Sequence, residues 1–154
     1  MNSFFKPRKI EERLIVLKPE VDANIVFDNN TLTYTGDIYN IQLEVLTKFY
    51  QNYTINVRGD VYLNNIGIKK LPLQFGKVEG FFCSGNRLES LKGCPIYVKN
   101  NFICVNKTKI SLEDCPSYVG GNFLCCSSRT KFTELEIRNL CEVIGKISSF
   151  KKTI

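Results

Sequence analysis

A chain of 154 residues, 44% hydrophobic and 23% charged, has the size and apolar content of one folded domain and falls outside the disordered class. Histidine is absent, which removes the commonest general base, metal ligand and pH switch together, and tryptophan is absent too. A net charge of +6 permits an acidic or nucleic-acid partner without requiring either.

In chain order, Met1 to Lys9 carries Phe4, Phe5 and the basic Lys6, Arg8 and Lys9. It has no apolar core of a secretory leader, and no apolar run is long enough to span a bilayer. The expected location is therefore the cytoplasm, or the host cytoplasm for a viral chain. Residues 1–20 are read as an N-terminal cap, with Ile10 to Lys18 open between helix and strand. Residues 21–37 read as a divergent repeat, in which Ile25, Phe27, Asn30 and Leu32 take its apolar and asparagine positions. Residues 38–56 read as a helical insert, because Ile38, Ile41, Val45, Leu46 and Phe49 recur at helical spacing.

Residues 57–132 are periodic. Cys83, Cys104 and Cys125 are 21 residues apart, as are Cys94 and Cys115, each followed by proline, and Tyr97 and Tyr118. Val57, Val78, Val98 and Val119 recur at 21, 20 and 21. Residues 133–154 change period: Leu135, Leu140, Cys141, Ile144 and Ile147 suggest a C-terminal capping helix. Thr133 is its expected N-cap, with Glu136 three positions on.

One unit, Val78, Phe81, Cys83, Asn86 and Leu88, follows the spacing L-x-x-L-x-L-x-x-N-x-L. The chain thereby resembles the leucine-rich-repeat superfamily. The segments VEGFFCSGNRL, LESLKGCPIYV and LEDCPSYVGGNFLC resemble the short repeats of tailed-phage and bacterial proteins, over about Val57 to Cys126. The resemblance implies an α/β repeat solenoid of short parallel strands, with an inserted helix and a C-terminal capping helix. It also implies partner binding on the strand face, and suggests a phage accessory protein that binds and inhibits a host factor, such as a defence protein. Three units depart by one extra residue after the first valine. Asparagine is displaced at Asn65 and Asn106, and Ser128 and Thr130 replace the asparagine and leucine of the last unit.

Strand alternation turns Phe81 and Cys83 inward, beneath Phe102 and Cys104 and then Phe123 and Cys125. The cysteines read as small core hydrophobes, because no C-x-x-C pair or histidine supports zinc. No metal or other cofactor is expected. The residues between point outward: Val26, Tyr62, Phe82, Ile103 and Leu124, flanked by Asp28, Asn64, Ser84, Val105 and Cys126. An apolar stripe on a strand face marks a protein-binding surface, with Tyr62, Phe82, Ile103, Leu124, Val105, Asn64 and Ser84 as its residues. The sequence leaves two other readings open: cover by the insert or by Phe4 and Phe5, and self-association. Lys69, Lys70, Arg87, Lys107, Lys109, Arg129 and Lys131 follow the strands and form a basic ridge, the basis of an alternative nucleic-acid reading. No catalytic residue is assigned. Cys126 beside Arg129 is the best nucleophile candidate, yet reads as an ordinary exposed thiol without a base.

Overall fold

The computed structural model describes residues 5–148, with side chains from residue 12 onward. Helix α1 spans Phe5–Asp22, so Ile10 to Lys18 is helical. Leu14 and Val21, two turns apart, are the buried residues among its described side chains. They face helix α2, Asn40–Tyr50, which buries Leu43, Val45 and Leu46. Arg13 and Glu44 pair across the two helices at 2.7 Å.

The insert is thus a helix, but with a different inner face from that expected. Ile38 lies outside it, fully buried in a parallel bridge to Val61, and Ile41 is exposed. The helix begins only after Tyr39, whose backbone N–H donates to Gln42 Oε1 at 3.0 Å. That start turns Leu43 rather than Ile41 toward the core.

Strands β1 (Ile25–Asp28) and β2 (Thr31–Thr35) form an antiparallel hairpin within the segment read as a divergent repeat. Two residues connect them, and Asn29 takes the left-handed φ of 53° that such a tight turn demands. Phe27, expected inside, is 50% exposed, and Asn30 sits in the turn. Strand β2 pairs in parallel with β3 (Thr54–Arg58).

From there the chain winds through two parallel ladders. The first joins β4 (Val61–Tyr62), β7 (Phe81–Phe82), β9 (Phe102–Asn106), β11 (Phe123–Ser127) and β13 (Ile147–Ser148). The second joins β6 (Lys77–Val78), β8 (Tyr97–Val98), β10 (Tyr118–Val119) and β12 (Glu142–Val143). Strand β5 (Gln74–Phe75) extends the sheet of β1, β2 and β3. Equivalent residues are direct partners: Phe81 with Phe102, Phe102 with Phe123, Cys104 with Cys125, and Val78 with Val98 and then Val119. Phe81, Phe102 and Phe123 are fully buried, with ring centroids 5.9 and 5.1 Å apart along the file. The corners between ladders are tight: a Cβ on Gly120 would lie 2.2 Å from the Lys99 carbonyl oxygen, so only glycine fits.

The C-terminal expectation requires correction. Thr133 does cap a helix: Glu136 N–H donates to Thr133 Oγ1 at 3.2 Å, and Thr133 N–H to Glu136 Oε2 at 2.6 Å. Yet α3 covers only Glu134–Arg138. The chain then adds one more rung to each ladder, Val143 beside Val119 and Ile147 beside Phe123. Leu135, Leu140 and Ile144 are exposed, whereas Ile137, Cys141 and Val143 are buried. The described residues form an α/β architecture dominated by parallel strands with few helices. Among them, no helix is long and apolar enough to cross a membrane.

Candidate interaction surface

Alternation within the first ladder builds the surface. Phe81, Phe102 and Phe123 are buried; the next residue of each strand turns outward. Tyr62 pairs with Phe82, Phe82 with Ile103 and Ile103 with Leu124, so the four expected residues stand in one file. All four are half-buried, each keeping part of its surface accessible. The Tyr62 and Phe82 rings stack at 5.2 Å, inclined by 8°. Gly80 makes room for them, because a Cβ there would lie 2.9 Å from the Phe82 ring and 2.7 Å from Asp60 Oδ1. Tyr62 donates its hydroxyl to Asp60 Oδ2 at 3.0 Å, and this bond, with some burial, raises the phenol above its ordinary pKa.

Two corrections define the ends of the file. Val26 is not part of it: it pairs with Thr33 in the hairpin, in a separate sheet. Tyr39 is part of it, and the sequence reading missed it. Its ring stacks on Tyr62 at 5.0 Å, inclined by 16°. The signal was present, since Ile38-Tyr39 is an inward–outward apolar pair like Val61-Tyr62 and Phe81-Phe82. The other end is polar, where Leu124 pairs with Ser148. The insert contributes Tyr39 to the file, while α2 buries its apolar residues near α1. The side chains of Phe4 and Phe5 lie outside the described residues.

The flanking positions serve the ladder. Asn64 Oδ1 accepts from Ser84 N–H at 2.7 Å, and Ser84 Oγ accepts from Val105 N–H at 3.0 Å. Each polar side chain therefore holds the backbone of the next strand. Val105 is half-buried, and together with Cys126, Lys107 and Lys131 it borders a shallow groove of about 550 Å³ beside the file. Cys126, expected to be exposed, is only 2% accessible. Its strand runs on to Ser127, whose N–H bonds Thr130 O at 2.8 Å, and the turn brings Lys131 near the thiol. Burial raises that thiol's pKa and Cys104 adds to the shift, against the opposing charge of Lys131, so the thiol is not activated.

The asparagine positions also differ from expectation. Asn86 is fully buried, donating to Leu63 O at 2.7 Å and accepting from Ile66 N–H at 3.1 Å. Asn106, displaced by one in the sequence, does the same work: it donates to Leu88 O at 2.8 Å and accepts from Leu88 N–H at 2.9 Å. The next member is Ser127, paired with Asn106, rather than Ser128. Asn65 instead supplies a left-handed turn at φ 55°.

All seven basic side chains of the ridge are exposed, and none is in an ion pair among the described residues. Lys69, Arg87 and Lys107 come together around a groove of about 320 Å³. Lys70 borders a different groove, with Leu71 and Lys92. Lys109 and Arg129 line neither. The seven cysteines are unbridged thiols, all buried except the half-buried Cys115. Burial pushes Cys83, Cys94 and Cys125 up; for Cys83 and Cys125, the hydrogen bond with Cys104 is the larger cause. Burial also pushes Cys115 to about 11 and Cys141 to about 12. Among the described residues no cluster of three or more histidine, cysteine or acidic side chains is placed to hold a metal ion.

No protein-family model, curated protein or solved structure matches the chain.

Proposed function

We propose that the chain is a leucine-rich-repeat-like solenoid that works as a non-enzymatic protein-binding module. One observation carries this reading: Tyr62, Phe82, Ile103 and Leu124 form an in-register apolar file on an outer strand face, each still partly accessible. A strand face that meets only water carries polar side chains, and contiguous exposed apolar surface marks an interaction site. At the strand spacing of about 4.8 Å, four rungs give a stripe on the order of 15 Å long. The partner offers apolar side chains to this stripe, and Lys107 and Lys131 beside it favour an acidic rim on that partner. The resemblance to phage-type repeats extends the proposal to an accessory protein that occupies and blocks a host protein in the cytoplasm.

Affinity capture from a lysate of the producing cell tests this reading when the unsubstituted chain is compared with a Phe82→Asp, Ile103→Asp double variant. Both side chains are outward, so the variant keeps its fold by circular dichroism. The expected result is a specific partner retained by the first chain and lost by the second. A partner held equally by both rejects the stripe as the site.

A further inference from the structure

A second outward file runs along the other ladder, on a different sheet from the apolar stripe. Lys77, Tyr97, Tyr118 and Glu142 are in direct register there. The Tyr97 and Tyr118 rings lie parallel at 4.7 Å, inclined by 6°. Tyr118 thus covers one face of Tyr97. On the Lys77 side, Tyr97 borders an open groove of about 290 Å³, lined also by Asn56, Arg58, Glu79 and Lys99. Tyr97 is 38% exposed, and Arg58, Lys77 and Lys99 are exposed cations with no ion pair among the described residues. Among those residues, Glu79 is the one acid lining the groove. Asn56 Oδ1 accepts from the Lys77 N–H at 2.7 Å.

A flat aromatic face at the end of a stack, ringed by three exposed cations, matches a ligand with a flat π-face and phosphate groups. We propose that this groove holds one nucleotide of a single-stranded nucleic acid. The base continues the Tyr118–Tyr97 stack, and the flanking phosphates lie against Arg58, Lys77 and Lys99. Such stacking accepts any base, because every base has a π-face, while the cations follow the backbone. A duplex is a poorer match, since its base faces are already covered. The basic ridge of the other ladder attracts phosphate but presents no ring beside Lys69, Arg87 and Lys107. The site shares no residue with the protein-binding stripe, so either reading can fail alone.

The test is a fluorescence-anisotropy titration of the full chain with a labelled short oligothymidylate, at two salt concentrations. The same oligonucleotide as a duplex and thymidine monophosphate serve as competitors. Binding is expected at low salt, with Tyr97→Ala about tenfold weaker, in the range of one base stack. Tyr97→Phe keeps the affinity. A Lys77→Gln, Lys99→Gln variant lowers the salt slope by about 1.4, at roughly 0.7 for each single-strand phosphate no longer neutralised. Glu79→Gln tightens binding. Should Tyr97→Ala fail to fold, Lys99→Glu at an exposed position replaces it and is expected to weaken binding. No binding at low salt overturns the proposal. So does affinity unchanged by Tyr97→Ala and Lys99→Glu, or a duplex or mononucleotide that competes as well as the single strand.

Discussion

The two halves of the molecule hold together in different ways. In the ladders, several inward residues meet their own kind on the neighbouring strand: phenylalanine on phenylalanine, valine beside valine, cysteine beside cysteine. Around the N-terminal helices, unlike residues meet. Phe27 of the hairpin touches Tyr50 and Tyr53 with centroids 5.7 and 5.3 Å apart. Lys18 lies 5.2 Å from the Phe49 ring and bonds Asp22 at 2.6 Å, and Asp22 also takes the Tyr50 hydroxyl. The first region is written as a period and the second as a set of individual contacts. A core substitution in the ladders should therefore disturb the rungs on both sides, and one in the N-terminal cluster should act locally.

The largest expected effect is at Phe102, fully buried between Phe81 and Phe123. Phe102→Ala should lower unfolding free energy by about 3–5 kcal/mol in a denaturant titration. A change of under about 1 kcal/mol would mean that the aromatic file does not close-pack. Next comes Asn86, whose removal strands the buried Leu63 carbonyl and Ile66 N–H. Asn86→Ala should cost about 2 kcal/mol, and Asn106→Ala a similar amount. Matching costs would confirm that the displaced asparagine is equivalent. Thr133→Ala removes the cap of α3 and should cost about 1 kcal/mol by thermal melting.

The smallest effect belongs to the N-terminal cluster and depends on pH. Burial pushes Asp22 up, but the hydrogen bonds from Lys18 and Tyr50 outweigh it and leave its carboxyl below the ordinary 3.8. A depressed pKa contributes stability above the unfolded value that is lost as pH falls through the folded one. The unsubstituted chain should therefore lose stability below about pH 4, and Asp22→Asn should flatten that decline. An identical acid limb in both proteins would show that Asp22 does not hold this cluster.

The same contrast explains what could be read from the sequence. The 21-residue spacing carried the files, the buried cysteines and the outward Tyr62, Phe82, Ile103 and Leu124, because strand alternation leaves little freedom once the register is known. The Thr133–Glu136 cap was also visible. The final rung was not: Leu135, Leu140 and Ile144 sit at helical spacing yet are exposed, and they masked the four-residue step from Val143 to Ile147 that copies Val119 to Phe123. The hairpin was not legible because Ile25, Phe27 and Leu32 fit the spacing of a unit, and only the Asn29-Asn30 turn marks the reversal. Asn106 was misjudged by counting positions; strand parity after Phe102 and Cys104 places it inward. The stacked pair Tyr97 and Tyr118 was seen as a repeat marker, but which ring face stays open depends on the sheet, not on the period.

An inward–outward step at the start of each strand of the first ladder, with the outward file reachable from solvent, underlies every functional statement about the stripe. Native-state thiol labelling of the single variants Phe82→Cys and Ile103→Cys tests it directly, since each new thiol neighbours an inward native one, Cys83 or Cys104. Each variant should gain one fast-reacting thiol over the unsubstituted protein. Labelling at the unsubstituted rate would place these side chains inside and contradict the proposed surface.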